Sequence, residues 1–270
     1  MTYRYIRKDY RGRILTLTLN RPESLNAVNA ELHTELATVF QDADLDPDCD
    51  VIVLTGAGRA FCAGGDLDWQ QGAADDPRSF QQTVSEAKRI IFSMLDCEKP
   101  IIGRVNGPAV GLGCTLALFC DVIFAKSSTY LSDPHVSVGM VAGDGGAVIW
   151  PQLVGYARAK EFLMTGDHIG AERAEALGLI NHAVPDDQFD ETVNAFADRL
   201  AASALEAVKW TKVSVNIGLR QLAHSIMDAS LAYEALTNAT PDHREALKAM
   251  REKRRPAFGA ARKQTGPGAV

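Results

Sequence analysis

The sequence predicts an α/β fold in which parallel strands joined by helical crossovers give way to a helical C-terminal region. Three observations carry that prediction. Strand-like runs at 51–55, 101–105 and 122–125 alternate with helix-like runs, a βαβ rhythm that places helices over a sheet. Two glycine-rich stretches, Phe61-Cys62-Ala63-Gly64-Gly65-Asp66-Leu67 and Asn106-Gly107-Pro108-Ala109-Val110-Gly111-Leu112-Gly113-Cys114, each follow a strand-like run and precede a helix-like one. Beyond about residue 144 the pattern is helical.

In chain order, residues 14–19 alternate Ile or Leu with Thr, as a half-buried strand does, and Arg21-Pro22-Glu23-Ser24 breaks the run. A helix is predicted over 29–45, with Leu32, Leu36, Val39 and Phe40 on one face and Asp46-Pro47-Asp48 ending it. The run 51–55 reads as a buried strand. Residues 70–77, polar and rich in Ala, Gly and Asp, read as a mobile loop beside the site. A helix over 78–95, a strand at 101–105, a helix over 111–119 and a strand at 122–125 follow. Helices are then expected over 157–164, 171–177, 189–200, 205–217 and 219–236. The Gly/Ala-rich tail from 259 to 270 reads as loose, and no repeat stands out in the sequence.

The chain has 270 residues, 46% hydrophobic and 23% charged, enough for one domain or two with a sizeable core. A net charge of −6 offers no basic field for nucleic acid or an anionic membrane, so neither is an expected partner. The charged N-terminus lacks a signal-peptide core, and no apolar run reaches membrane-spanning length. Five cysteines without a Cys-x-x-Cys pair read as reduced thiols of a cytoplasmic protein. Cys62 and Cys114 flank the glycine loops and read as buried small hydrophobes rather than nucleophiles.

Glycine lets the backbone turn with positive φ and lets a ligand approach the main chain. Two such loops at strand ends can aim two backbone N–H groups at one oxygen, an oxyanion hole. The residues around them resemble the crotonase superfamily of enoyl-CoA hydratases and isomerases. The matching pieces are Asn20-Arg21-Pro22 with Leu25-Asn26-Ala27, the two glycine loops, Cys120-Asp121, Leu163-Met164-Thr165-Gly166-Asp167, 174–179 and Glu252-Lys253-Arg254, in the family's order over nearly the whole chain. The resemblance implies a crotonase-type ββα spiral core over 1–200, a C-terminal helical trimerisation region over 201–258, and homotrimers or hexamers built from them. It also implies an acyl-CoA substrate, with coenzyme A entering as part of the substrate and no separate cofactor or metal. Gly65 and Leu112 would supply the oxyanion N–H groups, the latter at a helix start whose dipole favours an enolate. Ala63, Gly64, Asp66 and Leu67 would form the CoA loop, with Ala63 and Leu67 at the adenine and Asp66 ordering the loop. Lys253 would reach CoA phosphate from a neighbouring subunit, and Phe258 would pack near the nucleotide or the interface.

The chain departs from the family where the chemistry is done. Thr115 and His135 stand where hydratases usually carry their two glutamates. A threonine hydroxyl is no base by itself, and Thr115 reads as a helix residue facing the cavity. His135, in Ser132-Asp133-Pro134-His135, reads as an acid/base or as a hydrogen-bonded structural residue. Asp144 reads as the carboxylate that orients His135 or as the N-cap of the next helix.

The segment 133–151, with Asp133-Pro134-His135, Gly143-Asp144-Gly145 and Trp150-Pro151, also resembles the oxocamphor hydrolase branch, whose His/Asp pair activates water against a β-diketone. His33 and Glu234 match two further active-site types of that branch, although a helix surface residue and a solvated charge are the plainer readings of them. A further histidine of that branch falls at Leu112 here, and the branch lacks the CoA-type loop that this chain keeps. The sequence thus supports three functions: addition of water to an enoyl-CoA with non-standard catalytic residues, C–C bond hydrolysis of a β-ketoacyl-CoA or cyclic β-diketone, and CoA binding without catalysis.

Overall fold

The computed structural model describes residues 2–76 and 78–259. The chain runs through β1 (Ile6–Arg11), β2 (Ile14–Leu19), α1 (Ala30–Asp44), β3 (Val51–Gly56), α2 (Leu67–Asp75), α3 (Ser79–Asp96), β4 (Ile101–Val105), β5 (Ala109–Val110), α4 (Leu112–Leu118), β6 (Val122–Lys126) and β7 (Tyr130–Ser132). It continues through α5 (Gly146–Thr165), β8 (Ile169–Gly170), α6 (Ala171–Leu177), β9 (His182–Val184), α7 (Phe189–Ala201), α8 (Leu205–Asn238) and α9 (Pro241–Arg251). Among the described residues no helix is long and apolar enough to cross a membrane.

Six strands form one sheet in the order β1-β2-β3-β4-β6-β9, and β5-β7-β8 form a second. From β2 to β9 every neighbour in the larger sheet is parallel. Such strands are buried on both faces, which is why 51–55 and 101–105 read as unbroken apolar runs. Val51 and Val53 pack with Phe189 and Val193 of α7, whereas Ile52 and Leu54 join the core under α1 and α3. The fold class is therefore the one expected: an α/β spiral with a helical C-terminal region.

Some local expectations are corrected. Residues 70–75 belong to α2: the Asp66 side chain accepts from Asp68 N, capping the helix, and Ala73 and Ala74 are buried. The composition hid this helix because its hold is a cap outside the segment and two small residues inside it; Pro77 of the expected loop lies outside the described residues. The two helices expected over 205–236 are one helix, α8. Gly218 stays helical between them, and a Cβ there would meet nothing within 4 Å. Strand β1 carries no apolar alternation, since only Ile6 among its residues is buried; it is an antiparallel edge made by pairing with β2. The tail from residue 260 lies outside the described residues.

Gly113 is where the two glycine loops press closest. A Cβ there would lie 2.5 Å from the Cys62 carbonyl oxygen and 2.6 Å from Cys62 Cβ. Gly113→Ala is therefore expected to destabilise the protein by about 1–3 kcal/mol through overpacking, read as a lower urea midpoint. Unchanged stability would mean that the loops separate readily.

Candidate active site

The first glycine loop leaves β3 and ends at α2; the second leaves β4, runs through β5 and ends in α4. They are sewn together by backbone hydrogen bonds. Phe61 N and Cys62 N both donate to Pro108 O at 3.1 Å, and Val110 N donates to Cys62 O at 2.9 Å. Two glycines have backbones that demand glycine: Gly64 has φ +89° and Gly111 has φ +54°. A Cβ on Gly111 would lie 3.7 Å from Gly64 Cα and 3.8 Å from His135 Cε1, so both loops and the histidine meet at one point.

The first loop is also anchored to the segment before α1, with Val28 N donating to Gly64 O and Asp66 N to Val28 O. Between these two bonds the Gly65 N–H is left over. Neither it nor the Leu112 N–H, the first of α4, donates to another group among the described residues. Gly65, Leu112, His135 and Asp144 all line one pocket between α2, α3, α8 and the turn after β7. Its apolar wall includes Trp69, Phe80, Val84, Met140 and Leu231. A mostly apolar pocket with a few convergent polar groups suits a small organic group.

His135 opens the 3-10 turn that follows β7. Its Nδ1 is hydrogen-bonded to Asp133 Oδ1, and its Nε2 stands 3.6 Å from Asp144 Oδ2. The orienting contact expected of Asp144 thus comes from Asp133, which sequence reasoning did not single out. A signal existed in Asp133-Pro134-His135, where proline restricts the backbone between acid and base. Asp144 faces the other ring nitrogen. It does not occupy the cap position of α5, which falls to Gly145. Its Oδ1 accepts from Thr115 Oγ1 at 3.2 Å. So the hydroxyl at the position of the missing glutamate supports a carboxylate supplied by a different segment.

The other two sequence candidates are also corrected. Glu234 is no solvated charge: it is buried, 6% exposed, and lines the pocket from α8. Its Oε2 has no hydrogen-bond partner among the described residues. His33 is no surface residue either. At 2% exposure it lies inside, with its Nδ1 2.8 Å from Glu86 Oε2 and its ring centroid 5.0 Å from that of Trp69. A helix heptad cannot reveal this, because α1 buries a wide face and the partner Glu86 comes from α3.

Charge is crowded here. Burial works against a charged imidazole at 135, but Asp133 and Asp144 outweigh it and raise the ring's proton affinity well above the ordinary histidine range. Burial raises Asp144, and His135 opposes that shift. Burial, then repulsion from Asp144, lifts Glu234 to about 8, so this carboxyl keeps its proton at neutral pH. Burial also pushes the Cys62 thiol up to about 12 and Cys114 well above its ordinary value, which leaves both as packing groups. Asp133, His135 and Asp144 offer ligand atoms within 4.8 Å of one another, a spacing a cation can use. The bond between Nδ1 and Asp133 speaks for a proton relay there instead.

The CoA-loop candidates lie apart from the pocket lining. Ala63, Gly64 and Leu67 stay outside it, and Asp66 spends its carboxylate on the α2 cap and on Arg21 at 3.1 Å. Lys253 stands exposed just past α9 with φ +52°. Nearby, Arg251 pairs with Asp68 at 2.7 Å and ties α9 to the start of α2. Gln70, at the start of the stretch expected beside the site, lines the pocket, and its Oε1 is buried without a partner among the described residues.

A sheet spiral with two sewn glycine loops over an acid/base pocket defines a crotonase-fold protein. The family profile for enoyl-CoA hydratase/isomerase matches residues 9–261. The chain is 33% identical over 260 residues to a crotonyl-CoA hydratase of Syntrophomonas wolfei, covering 96% of this chain and 99% of that one. An enoyl-CoA hydratase/isomerase structure from Mycobacterium paratuberculosis superposes with a TM-score of 0.87 at 39% identity, covering 90% and 97% of the two chains. A β-diketone hydrolase from Anabaena, solved with (S)-3-oxocyclohexyl acetic acid, superposes with a TM-score of 0.82 at 29% identity, covering 88% and 95%. The chain belongs to the enoyl-CoA hydratase/isomerase family.

The raised groups set a direction for stability against pH. A carboxyl held at about 8 when folded binds its proton more tightly than in the unfolded chain. Its contribution is full in mild acid and is lost as pH climbs from the ordinary carboxylate range through that value. His135, also raised, acts in the same direction over its own window. Urea unfolding from about pH 5 to about pH 9 is expected to show falling stability, with a shallower slope in Glu234→Gln. Equal slopes would mean that Glu234 ionises as an exposed glutamate does.

Proposed function

We propose that this protein adds water across the α,β double bond of an acyl-CoA thioester, with His135 as base and the Gly65 and Leu112 N–H groups as the enolate-stabilising pair. The observation that carries this reading is the convergence of those two free N–H groups and a carboxylate-held imidazole on one pocket. In the reactive form the proton that His135 Nε2 and Asp144 share has been released to solvent, and Nε2 carries its lone pair. Nε2 takes a proton as the water oxygen bonds to the β-carbon. The π electrons move onto the thioester oxygen, where the two N–H groups accept the charge. The enolate then takes a proton at the α-carbon from the Glu234 carboxyl, and the proton on His135 returns to the carboxylates through Asp144. Both glutamates of the standard site are thereby replaced in kind, as a base and as an acid.

A second reading has its own support. His33 and Glu234 both lie in the pocket with His135 and Asp144, and this chain is similar to a β-diketone hydrolase. In C–C hydrolysis the same base would send water onto a ketone carbonyl, and the same N–H pair would hold the departing enolate. The active unit in either reading is a trimer or a pair of trimers, with Lys253 at the CoA of the next subunit.

His135→Ala is expected to lower kcat by about 10²–10⁴ while CoA-ligand affinity stays unchanged. A variant that keeps full turnover would mean that His135 is not the base. The rising limb of kcat/KM with pH reports release of the shared proton. Asp133→Asn removes a charge that raises His135, so the limb should move to lower pH. Mass spectrometry of products from enoyl-CoAs, β-ketoacyl-CoAs and cyclic diketones separates the readings. One added water on an intact skeleton supports hydration; an opened ring or two fragments supports C–C hydrolysis.

A further inference from the structure

The mechanism leaves one pocket-lining pair unused. His33 is carried by α1, on a wall separate from the turn that bears His135. Glu86 grips its Nδ1 at 2.8 Å and is itself held by Thr34 Oγ1 at 2.9 Å and Gln82 Nε2 at 2.8 Å. Burial alone would raise Glu86, yet the hydrogen bonds from His33, Gln82 and Thr34 keep it below the usual glutamate range. It is therefore an ionised carboxylate, and Nδ1 carries a proton that it donates to Glu86. The ring is also clamped by Trp69. This leaves Nε2 in a fixed direction with no protein partner among the described residues, on a wall made by Trp69, Ala73, Phe80, Val84 and Ala87 with Thr83 as its one hydroxyl.

A plain hydrocarbon chain gives such a wall no use for an imidazole. A fixed imidazole nitrogen without a protein partner can hydrogen-bond an oxygen that a ligand brings into the pocket. The geometry points to His33, positioned by Glu86, as a specificity residue that binds an oxygen on the acyl group remote from the thioester carbonyl. The substrate class is then an oxygenated acyl-CoA, a ketone or hydroxyl on a chain or ring, rather than a simple enoyl-CoA. A neutral ring accepts from a hydroxyl at Nε2, and a protonated ring donates to a ketone. This inference rests on the acyl-CoA reading of the same pocket, but it does not depend on which reaction follows.

The test is a binding comparison that needs no turnover. Calorimetry on the full chain uses three saturated thioesters of one skeleton: 3-oxocyclohexylacetyl-CoA, 3-hydroxycyclohexylacetyl-CoA and cyclohexylacetyl-CoA. At least one oxygenated ligand is expected to bind roughly ten- to a hundredfold tighter than the hydrocarbon, the range of a hydrogen bond to a charged or strongly polar group. His33→Asn keeps an N–H donor for Glu86 but deletes Nε2, so the buried carboxylate stays paired. That variant should retain its melting temperature and bind all three ligands about equally, with the hydrocarbon's affinity little changed. His33→Gln, whose amide reaches closer to the lost nitrogen, should restore part of the preference. Equal binding of the three by wild type, or a preference that survives His33→Asn, overturns the inference. If wild type binds none of the thioesters, the acyl-CoA reading fails instead. The free acids then repeat the comparison: a ketone preference lost in His33→Asn upholds the role of His33, and its absence ends it.

Discussion

The site depends on how closely two glycine loops approach. Bonds from Phe61 and Cys62 to Pro108, and from Val110 to Cys62, weld one loop to the other. That weld exists only because Gly64, Gly111 and Gly113 put no Cβ in the seam. Hydrogen bonds of this kind are strong only where water is excluded, and the loops rise from a sheet buried on both faces. The weld settles where the backbone carbonyls go, which is inward to one another. The Gly65 and Leu112 N–H groups are left without an acceptor among the described residues, and both residues line the pocket.

Around this rigid edge the protein concentrates charge that it cannot hydrate. Asp133, His135, Asp144 and Glu234 are all enclosed, and three carboxyls cannot all ionise beside one imidazole. Burial and mutual repulsion distribute the protons unevenly: His135 is held by Asp133, Thr115 supports Asp144, and Glu234 keeps its proton. One environment therefore pushes neighbouring groups toward different protonation states. The same crowding costs stability as pH rises.

The pocket is assembled from distant parts of the chain. Helix α8 brings Glu234 and Leu231 against the loop at Gly143, where a Cβ would lie 2.7 Å from Glu234 Cβ. Helices α1 and α3 bring His33 and Glu86 together across 53 positions of sequence. Packing of the C-terminal region on the spiral core thus completes the pocket as well as burying apolar surface.

By itself the sequence determined the α/β class, the parallel strands and both glycine loops. These are local matters of hydrophobic period, turn chemistry and residue size, and the residues that carry them are neighbours in the chain. It also put forward Gly65, Leu112, His135 and Asp144. Only the tertiary structure decided that Asp133 orients His135, that Asp144 leans on Thr115, and that His33 and Glu234 are buried in the pocket. Those facts turn on which side chains meet across separate helices and on how much water remains between them. A charged residue on a helix has the same sequence signature whether its face meets solvent or another helix. Folding excludes the water, and that exclusion raises the Glu234 carboxyl and seats His33 against Glu86.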